Sequence, residues 1–138
     1  MTTTNNLNAP RTPITSRRNI ALVAARVMAG LLGLTGLAGM VFFLVIAPHE
    51  AVWVGLWLDV PVVVLMLAGF ILKLAVGLLP RLPAQRRIVL GLMAVAIGIV
   101  VTLVKIPVYD EPEGVMFLIF DAVLLLLLVL ARRRTTTT

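Results

Sequence analysis

Leu74-Ala75-Val76-Gly77-Leu78-Leu79-Pro80-Arg81-Leu82-Pro83-Ala84-Gln85-Arg86-Arg87-Ile88-Val89-Leu90 joins two long apolar runs through a short, proline-marked and basic break. Upstream, the run reaches back into Ala51–Pro80; downstream, it continues to Ile106. About 20 apolar residues suffice to cross the ~30 Å hydrocarbon core of a bilayer, so each run is long enough to span it. A break this short forces the second span to return antiparallel beside the first.

Two further runs flank this hairpin. One lies between Arg26 and His49, with no charged residue inside it, and the other runs from Gly114 to Ala131. The charges between the runs alternate in sign. Arg11, Arg17 and Arg18 precede the first run, and Glu50, beside His49, follows it. Arg81, Arg86 and Arg87 follow the second, Asp110, Glu111 and Glu113 the third, and Arg132, Arg133 and Arg134 the fourth. Arginine concentrated on alternate loops marks the cytoplasmic side. The expectation is an all-α, integral membrane four-helix bundle in a cytoplasmic (inner) membrane, with both termini in the cytoplasm. The spans fall at about 20–47, 57–79, 88–107 and 114–131. They form one domain over 20–131, between a disordered polar tail at 1–19 and a short basic, threonine-rich tail at 132–138.

Composition agrees. Hydrophobic residues make up 61% of the chain and charged residues 13%, against about 25% charged in a soluble domain. The first run is longer than the 7–15-residue core of a signal peptide, and Pro48 follows Ala47, so it reads as an uncleaved span. The absence of cysteine excludes disulfides, thiolate metal sites and c-type haem attachment, and a single histidine excludes a bis-histidine haem within one chain. No cofactor is implied. The net charge of +6 sits at run boundaries, where it signals topology and contact with anionic lipid headgroups rather than nucleic acid. Ten arginines to two lysines fit a GC-rich bacterial genome.

The two halves carry a weak internal echo. Gly55-Leu56-Trp57-Leu58-Asp59-Val60 matches Phe117-Leu118-Ile119-Phe120-Asp121-Ala122 in pattern, and each half opens on a pair of arginines, Arg17-Arg18 and Arg86-Arg87. A true repeat would relate spans one and two to spans three and four as parallel helix pairs about an axis along the membrane normal. Within the spans, Ala21, Ala25, Ala29 and Gly33 recur every fourth residue, as do Ala94, Gly98 and Thr102. This spacing places small residues on one helix face and lets backbones approach closely. It serves packing within the bundle or, alternatively, association between subunits. The leucine block Leu124–Leu128 has no face preference and no glycine follows Gly114, so the fourth span is expected at the periphery.

Four charges fall inside the spans: Asp59, Lys73, Lys105 and Asp121. A charge at helix centre costs about 2.5–3.5 kcal/mol on insertion scales and therefore faces protein or water. At ~1.5 Å per residue, Asp121 lies about 10 Å below Gly114 and Lys73 about 9 Å from the opposite edge. These depths allow Asp121 to meet Lys73, and Asp59 to meet Lys105 nearer the surface. Asp59 and both lysines also have the option of reaching the headgroups, as Arg26 does. Asp121 is too short for that, which makes it the first place to look for function. His49 with the outer carboxylates lacks metal-ligand spacing and reads as a solvated surface. Trp53, Trp57 and Tyr109 read as interface anchors, and Pro107 as the end of the third span.

No phosphate loop, zinc-protease helix or nucleophile elbow is present, and the loops are too short for an extramembrane catalytic domain. The expected role is therefore non-enzymatic: an accessory or partner-binding subunit of a membrane complex, self-associating or joined to larger partners. The alternative is a small oligomeric proton- or ion-coupled transporter or channel using Asp121.

Overall fold

The computed structural model describes residues 19–136. The expected N-terminal tail up to residue 18, with Arg11, Arg17 and Arg18, and the last two threonines lie outside them. Four helices follow one another: α1 (Ile20–Val41), α2 (Leu56–Leu78), α3 (Ala84–Tyr109) and α4 (Gly114–Thr136). All four are long and apolar enough to cross a membrane. In space α1 packs on α2, α2 on α3, α3 on α4, and α4 closes the ring on α1. The chain is a four-helix bundle of the membrane-spanning type.

The helix ends differ from the sequence expectation in several places. Asn19, assigned to the disordered tail, is the N-cap of α1: its side chain accepts a hydrogen bond from the Leu22 N–H. Its Nδ2 donates to the Ala131 carbonyl at 3.1 Å, tying the start of α1 to the end of α4. α3 begins at Ala84, just past Pro83, and runs through Pro107 to Tyr109. A proline in the last turn removes one backbone hydrogen bond but leaves the chain helical for two more residues. The helix stops instead at Asp110, whose φ of 51° lies in the left-handed region that aspartate tolerates better than most residues. α4 continues through the three arginines to Thr136 rather than ending at Ala131. α1 is prolonged by a wider π-helical turn, Phe42–Ile46, every residue of which is exposed.

The small-residue stripe of α1 turns into the bundle. Ala21, Ala25, Ala29 and Gly33 are all buried, and Gly36 and Met40 extend the same face. At the α1–α2 crossing, a Cβ on Gly77 would stand 2.6 Å from the Gly30 backbone nitrogen. The two glycines thus let the backbones touch, as small residues do between membrane helices. Ala25 and Ala29 join Val76, Val95, Leu124 and Leu128 in one core drawn from all four helices. Ala21, Ile88 and Ala131 continue it toward the end where α1 begins and α4 ends. The stripe is therefore occupied by packing within the bundle.

α4 is not peripheral, and its leucine block does have a face. Asp121, Leu124, Leu128 and Ala131 are almost wholly buried, while Leu125, Leu126 and Leu130 are exposed. Spacings of three and four residues explain the stripe, which a run of identical leucines hides. Glycine still lies at this contact, but on the neighbour: a Cβ on Gly91 of α3 would meet Leu128 at 2.8 Å.

Candidate functional site

The two ends of the bundle are built differently. At the basic end, where the arginines lie, the small-residue core closes all four helices together. At the acidic end the buried cluster is Val62, Val101 and Tyr109, with Leu58, Met66, Ile97 and Val104 against it. Every member comes from α2 or α3. No buried apolar cluster among the described residues joins α1 to α4 there. The space between is a cavity of about 370 Å³. It extends from Trp53 and Glu111 at the acidic end, past Met40, Phe70 and Phe117, to Lys73 and Asp121 at its floor. Gly39 borders it on α1, and a Cβ there would meet nothing within 4 Å.

The floor is an ion pair. Lys73 Nζ of α2 lies 2.6 Å from Asp121 Oδ1 of α4, with side-chain exposures of 4% and 2%. The contact is an ion pair at hydrogen-bonding distance. Lys73 Nζ also stands 5.9 Å from the centre of the Phe70 ring, within range of its negative face. Gly98 of α3 makes room for both charges: a Cβ there would fall on Asp121 Oδ2 and stand 3.0 Å from Lys73 Nζ. Three helices thus meet at one pair. The low dielectric around it makes separation of the charges costly.

The other two intramembrane charges do not meet each other. Asp59, in the first turn of α2, accepts hydrogen bonds from the backbone N–H of Val54 at 3.2 Å and of Gly55 at 2.8 Å. The Tyr109 hydroxyl donates to the same carboxylate at 2.6 Å. A carboxylate at a helix N-terminus also lies at the positive end of the helix dipole. Lys105 pairs instead with Glu111 at 2.6 Å, partly exposed. The expected Asp59–Lys105 pair fails because α3 continues past Pro107 and swings Tyr109 inward, one turn beyond the lysine. For the same reason Tyr109 is not an interface anchor: it is 7% exposed and packs with Val62 and Val101. Trp53 and Trp57 are exposed at this end.

Of the residues singled out from the sequence, Lys73, Gly98 and Asp121 come together, and Asp59 and Lys105 reach the same cavity nearer its mouth. Ala25, Ala29, Gly33 and Ala94 belong to helix packing and do not line it. Tyr109 and Phe70 were not read as site residues; no spacing in the sequence joins Tyr109 to an aspartate 50 positions earlier. Among the described residues, no group of three or more histidine, aspartate or glutamate side chains is arranged to hold a metal ion. Neither a family model, nor a curated protein, nor a solved structure matches this chain. The fold and the site define it as a small polytopic membrane protein with a cavity that ends on a buried ion pair.

Proposed function

We propose that this chain is a non-enzymatic, ion- or proton-coupled carrier of small solutes, with Asp121 as the exchanging carboxylate and Lys73 as its fixed counter-charge. The observation that carries this reading is the cavity reaching from the acidic end to the Lys73–Asp121 pair. A buried ion pair adds little net stability, because desolvating both charges offsets their attraction. An ionisable residue at this depth in a membrane segment is better explained by a task. A solute or proton reaching Asp121 from the cavity would compete with Lys73 for it, which couples occupancy to helix packing. In this reading the basic end faces the cytoplasm, and the tight core at that end closes the cavity against conduction. The state described is therefore open to one side, as a carrier requires and an open pore does not.

The test is reconstitution into liposomes loaded with a pH-sensitive dye, challenged with panels of small organic amines, carboxylates and zwitterions. Solute-driven proton movement in the wild type, lost in Asp121→Asn, is expected. Movement that survives in Asp121→Asn would remove the carboxylate from the mechanism.

A second reading is an accessory or partner-binding subunit. The flank of the cavity between α1 and α4 favours it, because Phe43 and Phe117 are both half-exposed there and leave space for side chains of another helix. Stable co-purification with a larger complex in mild detergent, together with no flux for the isolated chain, would establish this reading in place of the carrier.

A further inference from the structure

Two guanidinium groups converge on the C-terminus of α2. Arg26 of α1 brings Nη2 to 3.5 Å from the Gly77 carbonyl, and Arg87 of α3 donates from Nη2 to the Leu79 carbonyl. The close Gly30–Gly77 crossing sets the Arg26 backbone beside Gly77, and its side chain turns to the end of α2. Arg87 is only 4% exposed. On both residues Nε is buried and has no acceptor.

The charges at this point do not balance. The C-terminus of a helix supplies about half a negative charge, against two full positive ones. All acidic residues of the chain are at positions 50, 59, 110, 111, 113 and 121. The first five belong to the acidic end, and Asp121 is engaged by Lys73. The segment from Leu79 to Arg87 contains no carboxylate. A withdrawn charge without a counter-ion costs several kcal/mol. The planar guanidinium fork matches phosphate oxygens closely.

We infer that Arg26 and Arg87 together hold one phosphate group at the basic end of the bundle, supplied by a phospholipid headgroup or by a soluble phosphate. The site lies at the end of α2, between Arg26 of α1 and Arg87 of α3. It is separate from the diffuse attraction of Arg132, Arg133 and Arg134 to an anionic surface. It is also independent of the carrier reading, since it shares no residue with the cavity.

The experiment uses the full chain in a neutral detergent. Thermal unfolding is followed during titration with phosphatidylglycerol, with phosphatidylcholine and with inorganic phosphate, and bound lipid is counted by native mass spectrometry. Saturable stabilisation with one bound phosphatidylglycerol per chain is expected. Arg26→Gln should weaken that affinity about tenfold or more, the effect of one charge-assisted hydrogen bond. The triple variant Arg132→Gln/Arg133→Gln/Arg134→Gln should leave it unchanged. Equal saturation by inorganic phosphate would assign the group to a soluble source, and response to phosphatidylglycerol alone would assign it to lipid. If Arg26→Gln does not fold, the wild-type titration and the triple variant decide alone. Absence of saturable stabilisation by either phosphate source, or its loss in the triple variant, overturns the site.

Discussion

Asp59 and Asp121 end stretches of similar pattern in the two halves of the chain, and both are withdrawn from solvent, yet they are held in opposite ways. Asp59 sits at the start of its helix, where two backbone N–H groups and the Tyr109 hydroxyl converge on it. Its negative charge is satisfied by neutral donors and a helix dipole. Asp121 lies about two turns into α4 and pairs with one buried ammonium at the floor of the cavity. The first arrangement resembles a cap: local, redundant and tied to the backbone. The second depends on a single long-range partner, so whatever removes that partner leaves a bare charge. The difference separates a carboxylate tied to the backbone from one that rests on a single partner.

The largest expected effect comes from breaking the pair on one side. Lys73→Met should lower unfolding stability in detergent by about 3–5 kcal/mol, because it strands a buried carboxylate. The double variant Lys73→Met/Asp121→Leu should recover most of that loss while remaining inactive in the liposome assay. A double variant as unstable as the single one would show that the pair does more for folding than charge balance. Gly98→Ala comes next, with an expected loss of about 1–3 kcal/mol, since the added methyl must displace the Asp121 carboxylate. Chemical unfolding beside Gly39→Ala, whose methyl meets open space, separates this from a general glycine effect.

On the Asp59 side the effects should be smaller than that of breaking the ion pair. Tyr109→Phe removes one hydrogen bond to a charged acceptor and should cost about 1.5–3 kcal/mol. Asp59→Asn keeps the oxygen that accepts from Val54 and Tyr109 but turns an NH2 group toward the Gly55 N–H, and should cost about as much as Tyr109→Phe, with transport retained. Loss of transport in Asp59→Asn would erase the distinction between the two aspartates. The smallest effect is expected for Lys105→Ala, which breaks a partly exposed pair with Glu111 and should shift stability by about 1 kcal/mol or less.

Much of this architecture is legible in the sequence. Charge-free stretches of sufficient length mark the four helices, and depth arithmetic from the ends of the runs matches Lys73 to Asp121. What stayed hidden depends on rotation about the helix axis or on contacts far apart in the chain. A block of five leucines carries no periodicity, so the buried stripe of α4 emerged only from what packs against it. Gly98 reads as one more small residue at spacing four, and its use as space for two charges requires α2 and α4 to be in place. Pro107 suggests a helix end two residues too early, which leaves Tyr109 outside the bundle, and no spacing links it to Asp59. Arg87 reads as a loop charge because the start of α3 lies among prolines and polar residues.

The hydrogen bond from Asn19 to the Ala131 carbonyl bears on how the chain can be rearranged. It brings the first and last helices together at the same end, so the bundle is a closed ring whose seam is a surface contact rather than a covalent one. Cutting the short connection at Pro80–Pro83 and joining the old termini by a flexible linker would yield a permuted chain that starts with α3 and ends with α2. Every helix in that molecule would keep both of its neighbours. The order in which the two hairpins are synthesised is thus separable from the structure they form.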